Sequence, residues 1–283
     1  MNADELLQRY EAGERDFREV NLMGINLRGQ NLSEANFRRA DLSRANLDRA
    51  NLIGINLRET NLLGSSFDQA NLNQANLIGA TLSSASLKEA ILTEAGMRGV
   101  SLVGANLTRA NLADANLNEA SLDDANLQAA NLSEVSLCRA KLVAADLTRG
   151  LLEGANLTNA ILNGAMLKNA NLTSAILSGT TLNGADLQDA DLSRARLTGA
   201  RLVNANLSGA NLRGANVTWS SLQGVNLRGA NLYRTKLNWS NLSGAILTEA
   251  VLINAKLYQT NLRDADLTGA MMPNGATYNS TYN

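Results

Sequence analysis

Histidine is absent from the 283 residues, and cysteine and proline occur once each. Without an imidazole the chain has no Ser-His-Asp triad, no Cys-His pair, no histidine metal ligand and no side chain that ordinarily titrates near neutrality. One cysteine excludes an internal disulfide framework and a zinc site built on several thiolates, and it fits a reducing compartment. Aromatic residues reach only 4% while hydrophobic residues reach 45%, so a core has to be made of Leu and Ala. No apolar run approaches the roughly 18 residues of a membrane span, and the opening Met1-Asn2-Ala3-Asp4-Glu5 is too acidic for a secretory leader. The expectation is a soluble, cytoplasmic protein with no cofactor, no metal and no small-molecule substrate. Neither sign of charge dominates: 25 Lys+Arg face 26 Asp+Glu, which gives no global attraction to nucleic acid or an anionic membrane.

What is present is a repeat of five in one unbroken register. From Phe17 to Leu267 all 51 positions ending in 2 or 7 are apolar, and 46 of them are Leu; the others are Phe17, Phe37, Phe67, Met97 and Val217. Two residues before each, 35 of 51 positions are Ala, and the residue between is usually Asn or Asp, as in Ala45-Asn46-Leu47-Asp48-Arg49. A period of five drifts around a helix and alternates faces in a strand, so neither element buries every Leu. A coil does, if each quintet makes one short extended side followed by a corner. Features recur at twenty: Trp219-Ser220 with Trp239-Ser240, Phe17 with Phe37, and Arg18 with Arg38 and Arg58. Four quintets per turn would stack these residues, giving an all-β square solenoid of about 12–13 coils, roughly 60 Å long at strand-like spacing.

In so narrow a bore one Leu per side fits when the other inward residue is small. The larger residues Val20, Ile25, Gln30 and Ile55 are therefore expected to be tolerated by virtue of lying near the start. Asn at the intervening position suits turn geometry and can hydrogen-bond neighbouring backbone.

These quintets resemble the pentapeptide repeat family, whose consensus is Ala-(Asp/Asn)-Leu-X-X. The resemblance implies a right-handed quadrilateral β-helix with four pentapeptides per 20-residue coil. The opening Leu6 to Phe17 and the ending Met272-Pro273-Asn274-Gly275 also look like those of cyanobacterial members.

Three segments are expected: an N-terminal helical cap over 1–14, the β-helix over 15–272, and a C-terminal cap or tail over 273–283. The capping-box spacing of Asn2 and Glu5, with Gly13 as the stop, predicts a short helix over 2–12 whose Leu6, Leu7 and Tyr10 cover the first coil. Met271, Met272 and Pro273 close the other end, and the polar residues beyond, with Tyr278 and Tyr282, read as a frayed tail or a docking segment.

Placing residues modulo twenty gives four outer faces. The face centred on Phe17, Phe37 and Leu57 is net basic, and the one centred on Leu32 and Leu52 is net acidic, with Glu34, Glu94, Asp114 and Glu134 turning to Arg194 and Arg234 in one column. On the basic face Trp219 and Trp239 fall one coil apart, with Lys236, Lys256, Tyr258 and Arg196 nearby. This set is the candidate partner-binding site, and structural cladding is its alternative. Met23, Leu63, Val103, Val143 and Val203 form a lightly apolar column that offers a lateral homodimer or partner surface, or is merely tolerated exposure. Cys138 reads as a plain surface thiol.

A convex tube offers no converging pocket, so the chain is expected to be a non-enzymatic rod presenting side-chain columns to a protein partner. Nucleic acid is not the expected partner, because the basic residues are interleaved with acids and no Gly-rich phosphate loop occurs. The family resemblance adds an alternative, a DNA-mimicking gyrase-binding protein of the quinolone-resistance type. Near-zero net charge and the absence of interrupted quintets weigh against it.

Overall fold

Five backbone N–H groups have to be satisfied in each quintet, and their partners explain the repeat. In the computed structural model, which describes residues 1–278, Ala45 to Arg49 shows the pattern. Leu47 and Arg49 donate to carbonyls of the following coil, Ser66 at 2.7 Å and Asp68 at 2.9 Å. Asn46 donates backwards to Ile25 O at 2.8 Å, and Ala45 closes the preceding turn on Leu42 O at 3.0 Å. The remaining N–H, that of Asp48, has no backbone acceptor and is taken by Asn46 Oδ1 at 3.0 Å. The expected role of Asn is thereby given a cause: its side chain supplies the one acceptor that the ladder lacks.

At several positions where the residue before Leu lacks a carboxamide or carboxylate, the acceptor comes from the coil below. Asp68, Lys88, Cys138, Asn183, Val203 and Tyr258 donate their N–H to the side chains of Asp48, Asp68, Asn118, Asn163, Asn183 and Asn238 respectively, each twenty residues earlier. The asparagines also bond to each other from coil to coil, as Asn56 does to Asn36 and Asn131 to Asn111.

Parallel bridges join residue n to residue n + 20, beginning with Asp16 to Asn36, which sets the coil at twenty residues and four quintets. Each side contributes a single bridged residue rather than a strand, and a two-residue turn follows. The second turn residue has φ near +60°, as in Arg49 (56°) and Trp219 (61°), and the turn is closed from Ala50 N to Leu47 O at 3.1 Å, the geometry of a type II turn. The chain divides into two compact units, Met1–Lys141 and Leu142–Asn283, each built from such coils.

Inside each unit Leu and Ala are sealed from solvent. Bulk at the Ala position is not confined to the first coils. Ile55 is 1% exposed, and Val100, Val135 and Val225 are fully buried, so the bore accepts isolated β-branched residues within a stack. Polar substitutes there are satisfied: the hydroxyls of Thr60, Thr235 and Ser240 donate to the carbonyls of Phe37, Leu212 and Val217, and those of Ser65 and Thr180 to the carbonyl three residues back. Phe17 and Phe37 stack at 5.3 Å between ring centroids.

The first coil is covered by α1 (Ala3–Glu11). Asn2 caps it by accepting from Glu5 N at 2.9 Å. Leu6 and Tyr10 are buried, Leu7 is half-buried, and the Tyr10 hydroxyl donates to Ser33 O at 2.9 Å. At the other end the residues after Pro273 fold back. Met271 still pairs in parallel with Val251 and also pairs antiparallel with Thr277, while Tyr278 N donates to Ala270 O at 2.8 Å. The segment 274–278, read from sequence as part of a cap or tail and as a frayed or docking stretch, is a reversed edge cover; Tyr282 lies outside the described residues.

Candidate functional site

Trp219 and Trp239 occupy the second turn position of successive coils, where a positive φ turns the side chain off the wall. Their rings stack with centroids 5.0 Å apart and planes 2° from parallel. Tyr258, from the next coil but one column over, meets Trp239 edge-on at 5.4 Å and 80°. The ladder fixes this spacing: Trp219 N donates to Asn238 O at 3.1 Å, Trp239 N to Tyr258 O at 3.0 Å, and Asn238 Oδ1 holds the Tyr258 N–H. Mutual stacking leaves much of the rings wet, with Trp219 63%, Trp239 44% and Tyr258 65% exposed. One coil before Trp219 the same position is Gly199, so no side chain covers the free face of the stack from that side. Such a surface offers an amphipathic anchor of fixed shape.

The three cations expected beside the rings stand apart from them. Arg196, Lys236 and Lys256 belong to one bridged column with Asn216, on the other side of the central apolar residue from the tryptophans. All three are exposed, and among the described residues none lies at salt-bridge distance from a carboxylate. The structure therefore joins Trp219, Trp239 and Tyr258 into a cluster and sets Arg196, Lys236 and Lys256 as a cationic edge on the same face.

Counting by faces missed a second arrangement. On the adjoining face of the same unit, Arg194, Arg213 and Arg234 with Ser193, Asn211 and Gly214 line a concavity of about 470 Å³. Tyr233 braces it, with the Arg234 and Arg213 guanidiniums 5.0 and 5.5 Å from its ring centroid. A linear signal was available: from Leu192 to Thr248 the sequence has seven basic residues and no acidic one. Several arginines elsewhere are paired. Arg38, Arg39 and Arg58 gather on Glu59, whose carboxyl is held below the usual range chiefly by the Arg39 hydrogen bond, and Arg98 and Arg139 share Glu119.

The apolar column is exposed at Met23, Leu63, Val103 and Val143 and half-buried at Val203, and Cys138 is half-buried. Among the described residues no helix is long and apolar enough to cross a membrane.

Comparison with known proteins agrees with this architecture. The sequence profile of the family described as Pentapeptide repeats matches in eight copies between residues 21 and 269. No curated protein matches the chain. Among solved structures, HetL, a pentapeptide repeat protein involved in heterocyst differentiation regulation from the cyanobacterium Nostoc sp. strain PCC 7120, is 31% identical over 98% of this chain and 100% of its own, with a TM-score of 0.37. The pentapeptide repeat protein alr5209 of Nostoc PCC 7120 is 31% identical over 44% of this chain and 80% of its own, TM-score 0.19. A trypsin-treated form of QnrB1, a plasmid-mediated fluoroquinolone resistance protein, is 20% identical over 67% of this chain and 91% of its own, TM-score 0.29. With the five-residue register, the 20-residue coils and the profile matched along most of its length, this chain belongs to the pentapeptide repeat family.

Proposed function

We propose that this protein is a non-enzymatic interaction module of the cytoplasm, a right-handed quadrilateral β-helix of about 12–13 coils that presents its outer columns to a protein partner. The observation that supports this reading best is the Trp219–Trp239–Tyr258 cluster. It is aromatic surface, exposed in a chain with only 4% aromatic residues, and its backbone is fixed by the ladder on which it stands. A rigid anchor loses little conformational freedom on docking, so most of the gain from burying the rings is available for affinity. The cationic edge of Arg196, Lys236 and Lys256 would favour a partner with acidic residues flanking an apolar contact. The apolar column from Met23 to Val103 offers a secondary surface, including one for a second copy of the chain.

The DNA-mimicking, gyrase-binding reading has less behind it. Imitation of a duplex needs a continuous acidic surface, whereas the column of Glu34, Glu94, Asp114 and Glu134 gives way to Arg194 and Arg234, and the net charge is −1. The decisive experiment compares wild type with the Trp219→Ala, Trp239→Ala double variant in affinity capture from lysate of the source organism. Captured proteins are then identified and retested in purified form. Loss of a specific partner with unchanged circular dichroism supports the anchor; identical capture by the two proteins sinks it. A supercoiling assay with purified gyrase, unaffected at micromolar protein, separates the two readings.

A further inference from the structure

The concavity bounded by Arg194, Arg213 and Arg234 is the most strongly charged feature left without a role. Arg194, Gly214 and Arg234 occupy one turn column in three successive coils, so the absent side chain of Gly214 leaves a notch with a guanidinium on either side along the stack. Arg213, the residue before Gly214, closes the notch laterally. None of the three has a carboxylate partner among the described residues. The Asp191 carboxylate, held by Ser193 N at 2.8 Å and Asn211 Nδ2 at 3.2 Å, offsets one of these three charges, so the recess keeps a net positive charge that an entering anion would balance. Stacking of Arg213 and Arg234 on Tyr233 restricts both guanidiniums before any ligand arrives. Beside the notch, a shallower recess of about 360 Å³ is lined by Arg213, Asn231, Tyr233 and Val251, an apolar and hydrogen-bonding wall next to the cationic one.

We infer that this notch binds the phosphate group of a small phosphate monoester of mononucleotide size, with the body of the ligand lying in the recess against Tyr233 and Val251. Guanidiniums grip phosphate through paired N–H donors, and planar groups pack against Tyr and Val edges. The site is separate from the tryptophan cluster and does not depend on it.

The test is calorimetric titration of the full chain with adenosine monophosphate, inorganic phosphate and adenosine at low ionic strength. Adenosine monophosphate is expected to bind with one-to-one stoichiometry, inorganic phosphate more weakly, and adenosine without measurable heat. Gly214→Gln fills the notch without changing net charge, and the same backbone conformation already carries Gln at Gln69 and Gln74, so the variant should fold. It should weaken nucleotide binding at least about tenfold, the loss of about one charge-assisted hydrogen bond. Arg194→Gln with Arg234→Gln should do the same, while Arg263→Gln, beyond this stretch, should leave affinity unchanged. The inference is overturned if adenosine monophosphate does not bind, if adenosine or inorganic phosphate binds as tightly, or if a folded Gly214→Gln protein binds like wild type.

Discussion

Replacing Leu172 by Ala tests whether the coils are held at fixed spacing by their ladder. Leu172 is fully buried, as are Leu152 and Leu192 directly below and above it. Three carbons leave the core, worth about 2.4 kcal/mol at ~0.8 kcal/mol each. The remaining question is whether the walls collapse into the space. Leu172 N donates to Asp191 O at 2.7 Å, Asn171 N to Gly150 O at 2.9 Å, and Ala175 N to Leu172 O at 3.0 Å. Moving that wall inward would stretch all three bonds, so most of the cavity should persist and add roughly 1.5–2 kcal/mol, for a total of about 4 kcal/mol. Leu257, half-buried near the end of the stack, is the control. No further full coil encloses it, so Leu257→Ala leaves no sealed cavity and should cost about 1 kcal/mol. Urea unfolding followed by circular dichroism gives the overall difference. Amide hydrogen exchange over 150–192 is the finer measure, because repeat arrays open in parts. Equal losses for Leu172→Ala and Leu257→Ala, or a loss below about 1 kcal/mol at Leu172, would refute the rigid-bore reasoning.

Asn56→Ala removes the acceptor of the Arg58 N–H (3.2 Å) and the bond to Asn36 (3.0 Å); by analogy with lost caps it should cost about 1 kcal/mol in urea melts, whereas Asn56→Asp, which keeps the acceptor, should cost less. The Asp41 carboxyl is held below its usual range first by the Ser43 hydroxyl, then by the Ser43 N–H and by Asn61. A depressed carboxylate contributes stability that is complete above the ordinary carboxylate range and is lost as pH falls through the folded value. Asp41→Asn keeps the acceptor but cannot titrate, so thermal melts should show wild type losing its advantage over the variant only below about pH 5, progressively as the pH falls through the folded value; a pH-independent difference would exclude this group from the acid response.

The period, the coil length and the inward alternation of Leu and Ala were legible because each follows from spacing alone. So was the helix over the first coil, since Asn2, Glu5 and Gly13 are local signals. The alternative acceptors were not legible. That Asn238 holds Tyr258 follows only once the two are known to sit one coil apart and the Lys256 side chain is known to offer no acceptor. The reversal after Pro273 was missed because its driving force is a free sheet edge, a tertiary property without a pattern of its own. Tolerance of Val100, Val135 and Val225 was missed for a related reason: room at one inward position depends on its neighbours in the same coil and in the coils on either side.

The aromatic cluster was found and the arginine notch was not, although the same placement modulo twenty contains both. Summing charge over a face treated Arg194, Arg213 and Arg234 as a correction to the acidic residues of that face, which occur at Glu34 to Glu153 and at Asp191. Charges act over about a Debye length, roughly 8–10 Å, so they need to be compared with neighbours one or two coils away rather than along the whole column. On that scale the contrast is local. Arg38 and Arg39 form ion pairs with Glu59 one coil on, and Arg98 with Glu119, whereas Arg194, Arg213 and Arg234 form none with the one carboxylate beside them, Asp191, which is bonded to Ser193 N and Asn211 Nδ2. The inward Leu and Ala already determine the coil, so outward turn positions can exchange Arg for Glu or Gln at little cost to folding, as the many residue types found there demonstrate. A cation cluster is therefore not required by the fold, and its net positive charge beside a single carboxylate, Asp191, is a reason to look for the anion that completes it.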